Sequence, residues 1–345
     1  MTVSRAAADL YAACEVVDLH SESFVWTRVF GYDLAARHGR GPLRARFFSQ
    51  ADLPRMGDAG LAGAVLSIAT NPWRPTPRRF GVLLRNLARL RAAVEAHPGA
   101  AVVGDVAGFR AARAEGRLAC FLAVQGGNAF ASPGDVGRIP GAVVSRVTLV
   151  HLTDSAVGAT SSPLGRSRGR GGLTPSGRDL VAALNGARIL VDLAHISRPG
   201  FAEALAVHDP ALPPLVSHTG VSAVCRSWRN LDDGQIRAVA DRGGVIGIMY
   251  HRGFLGRPAW RVRADAVVRH LEHALAVGGE EVAALGSDWD GMITTPRDMP
   301  TVSELPVLVQ HMLERGFTEA RVARILGANA LRVIGAVRPG STPAS

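Results

Sequence analysis

The sequence predicts an α/β fold, a (β/α)8 barrel of the TIM type, on three observations. Short apolar, β-branched runs alternate with longer amphipathic segments along most of the chain, which is the pattern of βα units and a parallel sheet. Eight such runs are found, the number of strands that closes a barrel of this type. Histidines and carboxylates follow several runs, at the end of the strands where barrels of this class keep their active sites.

The predicted strands share short length and a high content of aliphatic residues. In order they span residues 16–20, 62–69, 118–124, 144–150, 189–193, 215–218, 245–249 and 282–288. The predicted helices between and after them span residues 79–96, 177–184, 234–241, 265–277, 307–315 and 319–333. The interval between the second and third strands has room for further helix. Because no Pro/Ser-rich linker divides the sequence, we expect one barrel domain over residues 1–338 and a disordered tail over residues 339–345.

Composition favours a globular enzyme over a nucleic-acid-binding protein. The formal net charge is +10, yet all 39 basic residues are arginine and they are scattered along predicted helices and loops. Nucleic-acid binding requires basic residues clustered on one surface. The three cysteines are far apart in sequence, and no signal peptide or membrane span is recognisable, so we expect a cytoplasmic protein with no membrane partner. The sequence leaves open whether the barrel forms a homodimer.

Chemically competent residues follow six of the eight predicted strands. They are Asp18 to Glu22, Gln125 to Gly127, His151, His195, Ser217 with His218, and Asp288 to Gly291. His20 and Glu22 are two residues apart on an extended strand, so both side chains point to the same side and can bind one ion. Each histidine alone is more often a hydrogen-bonded group than a ligand. Four histidines at one layer of a barrel together predict a metal site.

Other polar residues have simpler interpretations. Asp18 and Asp192 lie inside predicted strands, where we expect them to satisfy hydrogen bonds around the site. The remaining seven histidines lie in predicted helices or loops and are expected at the surface. They are His38, His97, His208, His251, His270, His273 and His311.

Taken in order, the motifs resemble the renal or membrane dipeptidases, binuclear zinc peptidases of the amidohydrolase-like barrels. The matching stretches run through nearly the whole chain. They begin at residues 18, 124, 147, 172, 191, 216, 228 and 286, with sequences DLHSE, VQGG, VTLVH, GLTPSG, VDLAHIS, VSH, WRN and GSDWDG, and residues 329–334 resemble the family's closing helix.

The resemblance implies a role for each site residue. His20 and Glu22 would hold one Zn²⁺, His195 and His218 a second, and the residue at position 125 would bridge them. Asp288 would handle the proton of the bridging water. His151 would steady the tetrahedral oxyanion, and Arg229 would bind the carboxylate end of the dipeptide. Two close cations acidify a shared water and polarise the scissile carbonyl, and a guanidinium recognises a carboxylate bidentately.

The sequence departs from the family pattern at two of these positions. Glu22 stands where the family has aspartate, a change that keeps the charge and the oxygen donors. Gln125 stands where the family has its bridging glutamate, which removes one negative charge and lowers the affinity for a second cation. Three outcomes follow: a binuclear site that tolerates glutamine, a mononuclear hydrolase that uses His195 and His218 or His20 and Glu22 alone, or a barrel that has kept its shape and lost its activity.

The sequence therefore predicts a metal-dependent hydrolase, a dipeptidase that cleaves the amide bond of dipeptides with metal-activated water. One alternative is a related metal-dependent amidohydrolase that acts on another small amide or on a lactone, since fold does not fix the substrate. A second is a non-catalytic ligand-binding barrel, for which Gln125 is the motivating residue.

Overall fold

A computed structural model describes residues 2–41, 43–140 and 143–340, and in these ranges nine strands form one parallel sheet. The strands are β1 (Val16–Ser21), β2 (Leu61–Ala69), β3 (Ala100–Val103), β4 (Leu118–Gln125), β5 (Val144–Thr148), β6 (Leu190–Asp192), β7 (Leu215–Thr219), β8 (Val245–Ile248) and β9 (Ala283–Leu285). Their residues are almost all buried on both faces, as expected for a parallel sheet covered by helices.

Eight of the described strands close a barrel, which confirms the predicted fold class. The pairings run from β1 through β2, β4, β5, β6, β7 and β8 to β9, and β9 pairs back to β1. Because the strands are parallel, their carboxyl ends meet at one rim. The residues predicted to carry chemistry therefore lie on one face of the barrel.

The sequence analysis missed β3, which lies outside the ring. β3 pairs with residues 118–121 of β4, while β5 pairs with residues 122–125 along the same edge. β3 is only four residues long and two of them are alanine, so it carries little of the β-branched signal that marks the other strands. β3 falls in the interval between the second and third predicted strands, where further helix was expected. Helices are present on both sides of it.

Helices cover the outside of the barrel. The described α-helices are α1 (Arg5–Ala13), α2 (Phe24–Phe30), α3 (Leu53–Asp58), α4 (Thr76–Glu95), α5 (Val106–Ala114), α6 (Pro175–Gly186), α7 (Arg198–Val207), α8 (Asp233–Ala240), α9 (Arg252–Leu255), α10 (Asp265–Gly278), α11 (Pro306–Glu314), α12 (Glu319–Ala323) and α13 (Asn329–Val337). All six predicted helices are present, most with ends shifted by one to three residues. In α4 the buried residues recur at the helical period and face the barrel, from Phe80 to Val94.

The last predicted helix continues through a π-helical segment. Residues Arg324–Ala328 connect α12 to α13 with π geometry. At Gly327 an added Cβ would lie 1.8 Å from the backbone oxygen of Glu15. The absence of a side chain there lets this helix approach the residue that precedes β1, so the end of the chain packs against the start of the barrel.

Two of the seven histidines expected at the surface are buried. His270 is fully buried in α10; its Nδ1 accepts from the backbone N–H of Val221 and its Nε2 donates to the backbone oxygen of Leu255. His208 is 5% exposed at the end of α7. The prediction was wrong for these two because a polar residue on an amphipathic helix does not reveal whether a loop covers it.

Two further predictions concern the chain ends and the membrane. Among the described residues, no helix combines the length and the apolar character needed to cross a bilayer. Of the tail predicted over residues 339–345, only Pro339 and Gly340 are described, and residues 341–345 lie outside the described ranges.

Candidate metal centre

Four strand ends bring the five predicted metal-binding side chains together at the rim of the barrel. His20 belongs to β1 and Glu22 follows it directly, and Gln125 is the last residue of β4. His195 lies three residues after β6, and His218 lies within β7. All five side chains are buried or nearly so. Residues more than 190 positions apart in the sequence thus form one cluster.

The distances within this cluster are short. Nε2 of His195 lies 2.8 Å from Nε2 of His218. The rings of His20 and His218 stack with centroids 3.9 Å apart. Nε2 of His20 is 3.8 Å from Oε1 of Glu22 and 3.6 Å from Oδ1 of Asp288. Ligand atoms of His20, His218 and Asp288 all lie within 4.8 Å of one another, close enough to surround one ion.

Several buried polar atoms in the cluster have no hydrogen-bond partner among the described residues. They are Nε2 of His20, Oε1 of Glu22, Oε1 of Gln125 and Nδ1 of His195. A buried polar atom without a partner costs free energy, so such atoms call for an explanation at each position. Imidazole nitrogens with carboxylate and amide oxygens form a donor set that suits a divalent metal. The residues present therefore fit a metal ion.

Burial sets the protonation of the cluster. Burial lowers the pKa values of His20, His195 and His218 well below the usual range, and neighbouring arginine and histidine charges lower them further. The imidazoles are therefore neutral at pH 7, the form in which histidine binds metals. Burial raises the pKa of Glu22 to about 7. Burial, and next the charge of Glu22, raises the pKa of Asp288 well above its usual range.

His195 and Asp288 both have left-handed backbone conformations, with φ of 65° and 64°. Residues other than glycine adopt this conformation at a cost and persist in it where the surrounding structure holds them. Asp288 is held by the bond from its backbone N–H to the oxygen of His20, at 3.0 Å. An added Cβ at Gly291 would lie 2.2 Å from Oδ1 of Asp288, so only glycine leaves room for that carboxyl.

The two predicted substrate-binding residues lie beside the cluster. The ring of His151 meets the ring of His195 edge to face, with centroids 4.8 Å apart. Burial, and next the Arg229 charge, lowers the pKa of His151 to about 3. Nη2 of Arg229 donates to the backbone oxygen of His218 at 2.5 Å, and Nε of Arg229 is buried without a partner among the described residues.

A cavity of about 110 Å³ joins this arginine to the histidine cluster. Its lining includes His195, Trp228, Arg229 and Asn230. Outside the lining, Oγ1 of Thr219 donates a hydrogen bond to the backbone oxygen of Arg229 at 3.1 Å. This bond fixes the loop after β7. A histidine of the cluster and the buried Arg229 therefore both line this small cavity.

The sequence analysis missed Arg146, which lies in β5 and is 1% exposed inside the barrel. Its Nη1 donates to Oδ2 of Asp192 and, at 2.7 Å, to Oγ1 of Thr148, and its Nη2 lies 2.9 Å from Nδ1 of His20. The available signal was a charged residue in the middle of a predicted strand, where an arginine must be paired if it faces the interior.

Asp18, Asp192 and Asp290 complete the surroundings of the cluster. Asp18 accepts hydrogen bonds from the backbone N–H of Ser287 and of His20, and Asp192 accepts from Ser217 Oγ at 2.6 Å. The expectation that Asp18 and Asp192 satisfy local hydrogen bonds is confirmed. Asp290 accepts from the backbone N–H of Gln50 at 2.8 Å, which holds the loop before α3 against the site.

Comparison with known proteins assigns a family. A family model described as membrane dipeptidase, peptidase family M19, matches residues 4–343. A Klebsiella pneumoniae protein described as uncharacterized, in the pqqA 5′ region, is 34% identical over 166 residues, which are 47% of this chain and 60% of that protein. The match thus spans less than two thirds of that relative.

Solved structures share the fold. Dipeptidase AC, a metallopeptidase of family M19, superposes with a TM-score of 0.83 at 24% identity, covering 95% of this chain and 99% of that one. A metallopeptidase from Rhodobacter sphaeroides, solved with a phosphinate mimic of the dipeptide L-Ala-D-Ala, has a TM-score of 0.79 at 23% identity and covers 94% and 99%. At these identities the likeness is one of fold.

Proposed function

This chain belongs to the membrane dipeptidase family, peptidase family M19, and on that premise we propose that it is a metal-dependent dipeptidase acting on small dipeptides. The observation that carries the proposal is the set of buried, unpartnered donor atoms at one rim of the barrel. Every residue of the proposed site comes from the same barrel, residues 1–338, so a homodimer is not needed to complete it.

We propose that the metal lies among His20, Glu22, Gln125, His195 and His218 and that it is Zn²⁺. Neutral imidazole nitrogens dominate this donor set, and zinc favours nitrogen donors supplemented by oxygen. A divalent cation bound there would supply Lewis-acid chemistry, lowering the pKa of nearby water and polarising the scissile carbonyl. Burial keeps the three histidines neutral, which is the protonation state in which an imidazole binds a metal.

Asp288 is the proposed proton carrier. Its carboxyl is buried, lies 3.6 Å from Nε2 of His20, and has a raised pKa. A carboxylate with a raised pKa takes up a proton from the attacking water more readily than an ordinary aspartate. The same Oδ atom can then return that proton to the leaving amine.

Arg229 and His151 are the proposed substrate-binding residues. A dipeptide carries a free carboxylate, and a buried guanidinium with an unpartnered Nε at one side of the 110 Å³ cavity is a donor for it. His151 is neutral because burial lowers its pKa to about 3. A neutral imidazole can donate a hydrogen bond to the oxygen of the scissile carbonyl, where negative charge develops during the attack.

The first test is hydrolysis of a dipeptide panel by protein loaded with zinc, with an Asp288→Asn variant. We expect turnover by the natural protein and a fall in kcat of about 100-fold or more in the variant, the range for a lost general acid–base group, while bound metal stays unchanged. Asp9→Asn, at an exposed aspartate of α1, is the matched control. Metal binding without cleavage of any dipeptide would favour the ligand-binding barrel.

The second test separates a dipeptidase from another amidohydrolase. Arg229→Met should lower kcat/KM for dipeptides by about 10- to 100-fold, the value of a charge-assisted hydrogen bond, and should have little effect on the same dipeptides amidated at the C-terminus. Arg226→Met, three residues earlier and exposed, is the control. If Arg229→Met left dipeptide turnover unchanged, an amide or lactone without a carboxylate would become the better substrate.

A further inference from the structure

The guanidinium of Arg146 lies beneath the metal centre and contacts one of its histidines. Nη2 of Arg146 is 2.9 Å from Nδ1 of His20, and no water separates two groups at that distance. On its other side the guanidinium is fixed by Asp192, Thr148 and Ser217. Arg146 is therefore held rigidly against His20.

This contact decides which nitrogen of His20 carries hydrogen. A guanidinium has donors only and no acceptor, so Nδ1 of His20 must be the acceptor in this hydrogen bond. A neutral imidazole that accepts at Nδ1 carries its hydrogen on Nε2. That Nε2 faces Oε1 of Glu22 and Oδ1 of Asp288, at 3.8 and 3.6 Å, with no partner within hydrogen-bond range. The atom that points into the site is thus a donor without an acceptor.

His218 has the opposite arrangement. Its Nδ1 lies 2.8 Å from Oγ of Ser217, and that hydroxyl gives its own hydrogen to Oδ2 of Asp192 at 2.6 Å. Ser217 Oγ therefore accepts from Nδ1–H of His218, which leaves a lone pair on Nε2. A hydrogen-bond chain from an imidazole to a carboxylate is the usual support for a metal-binding histidine. Nε2 of His195 lies 2.8 Å from Nε2 of His218 and donates its hydrogen to this lone pair.

The two sides also differ in how Arg146 reaches them. Gln125 brings no negative charge to the space between them, and Arg146 bonds directly to the imidazole of His20, whereas it reaches the imidazole of His218 only through the hydroxyl of Ser217. A dication beside His20 would approach the carboxyls of Glu22 and Asp288, but it would also lie across one imidazole ring from that guanidinium, in a buried site where screening is weak. On the other side, Nδ1 of His195 has no partner among the described residues, so the hydrogen of that imidazole can move from Nε2 to Nδ1 and free Nε2 for the ion. Arg229 also lies on this side, but it donates to the backbone oxygen of His218 and not to an imidazole.

We propose that this chain binds one divalent cation, through Nε2 of His195 and Nε2 of His218 with Oε1 of Gln125, and that His20 is not a ligand. Arg146 holds His20 with its hydrogen on Nε2, where it donates to an oxygen of the substrate or of water between Glu22 and Asp288. The inference rests on the proposed metal-dependent function, and it narrows that function to a mononuclear site.

The first test is metal stoichiometry, which needs no activity. The natural protein is stripped with a chelator, titrated with Zn²⁺ by calorimetry, desalted, and analysed for metal per chain. One ion per chain is expected. Two ions per chain would overturn the mononuclear site and leave the proposed dipeptidase intact. No bound ion at all would contradict both the proposed metal-dependent function and this inference.

A matched pair of variants identifies the ligands. His20→Gln and His218→Gln make the same change at two buried, mutually stacked histidines. His218→Gln should weaken Zn²⁺ binding by about 100-fold or more. Loss of only the group that hydrogen-bonds to a metal ligand lowers metal affinity by about 10- to 100-fold, and loss of the ligand itself should cost at least as much. His20→Gln should keep one ion per chain with affinity changed by less than about threefold. Equal losses in the two variants would overturn the assignment.

The hydrogen positions can be observed directly. Long-range ¹H–¹⁵N correlation spectra of protein with labelled histidine distinguish imidazoles protonated at Nδ1 from those protonated at Nε2, and the two variants assign the signals. We expect His20 protonated at Nε2 and His218 protonated at Nδ1 in the zinc-loaded protein. A hydrogen on Nδ1 of His20 would contradict the role given to Arg146.

Discussion

The buried histidine His270 makes the folding stability of this protein sensitive to acid. Burial lowers the pKa of His270 to about 4, and its two nitrogens bond to the backbone at Val221 and Leu255. The unfolded chain binds a proton here below pH 6.5, whereas the folded protein does not until about pH 4. The stabilising contribution of neutral His270 is therefore complete above pH 6.5 and is lost as the pH falls from 6.5 to 4.

The variant His270→Gln tests this at the residue scale, because a glutamine amide can both accept and donate without titrating. Between pH 7 and pH 5 the natural protein should lose about 2 kcal/mol more free energy of unfolding than the variant, at 1.36 kcal/mol per pH unit below 6.5. Denaturant unfolding at the two pH values measures the difference. Equal losses in both proteins would mean that His270 is protonated in the folded state.

Residue identity could be predicted from the sequence better than residue orientation. The histidines and carboxylates at the strand ends were identified because position after a strand is a property of the sequence. Arg146 was not, since adjacent residues of a strand face opposite sides and no pattern in a fully buried strand tells which side is which. The same limit applies to His270, whose burial depends on a loop contributed by a distant segment.

At the scale of elements, strands β7, β8 and β9 approach one another more closely than side chains allow. An added Cβ would lie 2.1 Å from the oxygen of Ser217 at Gly247 and 1.9 Å from the same oxygen at Gly286. Ser217 precedes His218 and supports its ring. The two glycines thus set the place of a proposed metal ligand through the backbone of its strand.

Gly286→Ala should therefore lower both stability and metal affinity. Overpacking of this kind costs about 1–3 kcal/mol, and displacement of the Ser217 backbone should weaken Zn²⁺ binding in the same variant. Thermal unfolding and zinc titration measure the two effects. Gly186→Ala, at an exposed position in α6 with no atom within 4 Å of the added Cβ, is the control; it should leave zinc affinity unchanged and should not lower stability, since alanine favours a helix more than glycine does. Unaltered zinc affinity in Gly286→Ala would show that the packing of these strands does not determine metal binding.

Among the elements, long apolar strands were predictable and short or strained segments were not. The β4 strand has seven consecutive apolar residues before Gln125, whereas β3 is too short and too rich in alanine to be recognised. The left-handed conformations of His195 and Asp288 could not be predicted, because histidine and aspartate adopt this conformation more often than most residues but still only in a small minority of cases. Their conformation comes from the tertiary contacts that hold them.

At the scale of the whole molecule, the proposed ligands come from distant strands of the barrel. Gln125, His195 and His218 come from β4, from the segment after β6, and from β7. The unfolded chain separates these residues by up to 93 positions, since the outermost are 125 and 218. A preformed metal site does not exist in the unfolded chain, so the binding free energy adds to the free energy of folding.

Zinc should therefore stabilise the entire barrel and not only its rim. At a free zinc concentration 100 times the dissociation constant, the gain is about 2.7 kcal/mol for one site. Thermal unfolding of chelator-treated protein with and without zinc measures it, and a chelator added afterwards should reverse it. His218→Gln should lose the gain at the same zinc concentration, while His20→Gln should retain it, because only His218 among the two presents a lone pair to the ion. Stabilisation of both variants to the natural level would place the zinc away from this cluster and would exclude the site proposed here.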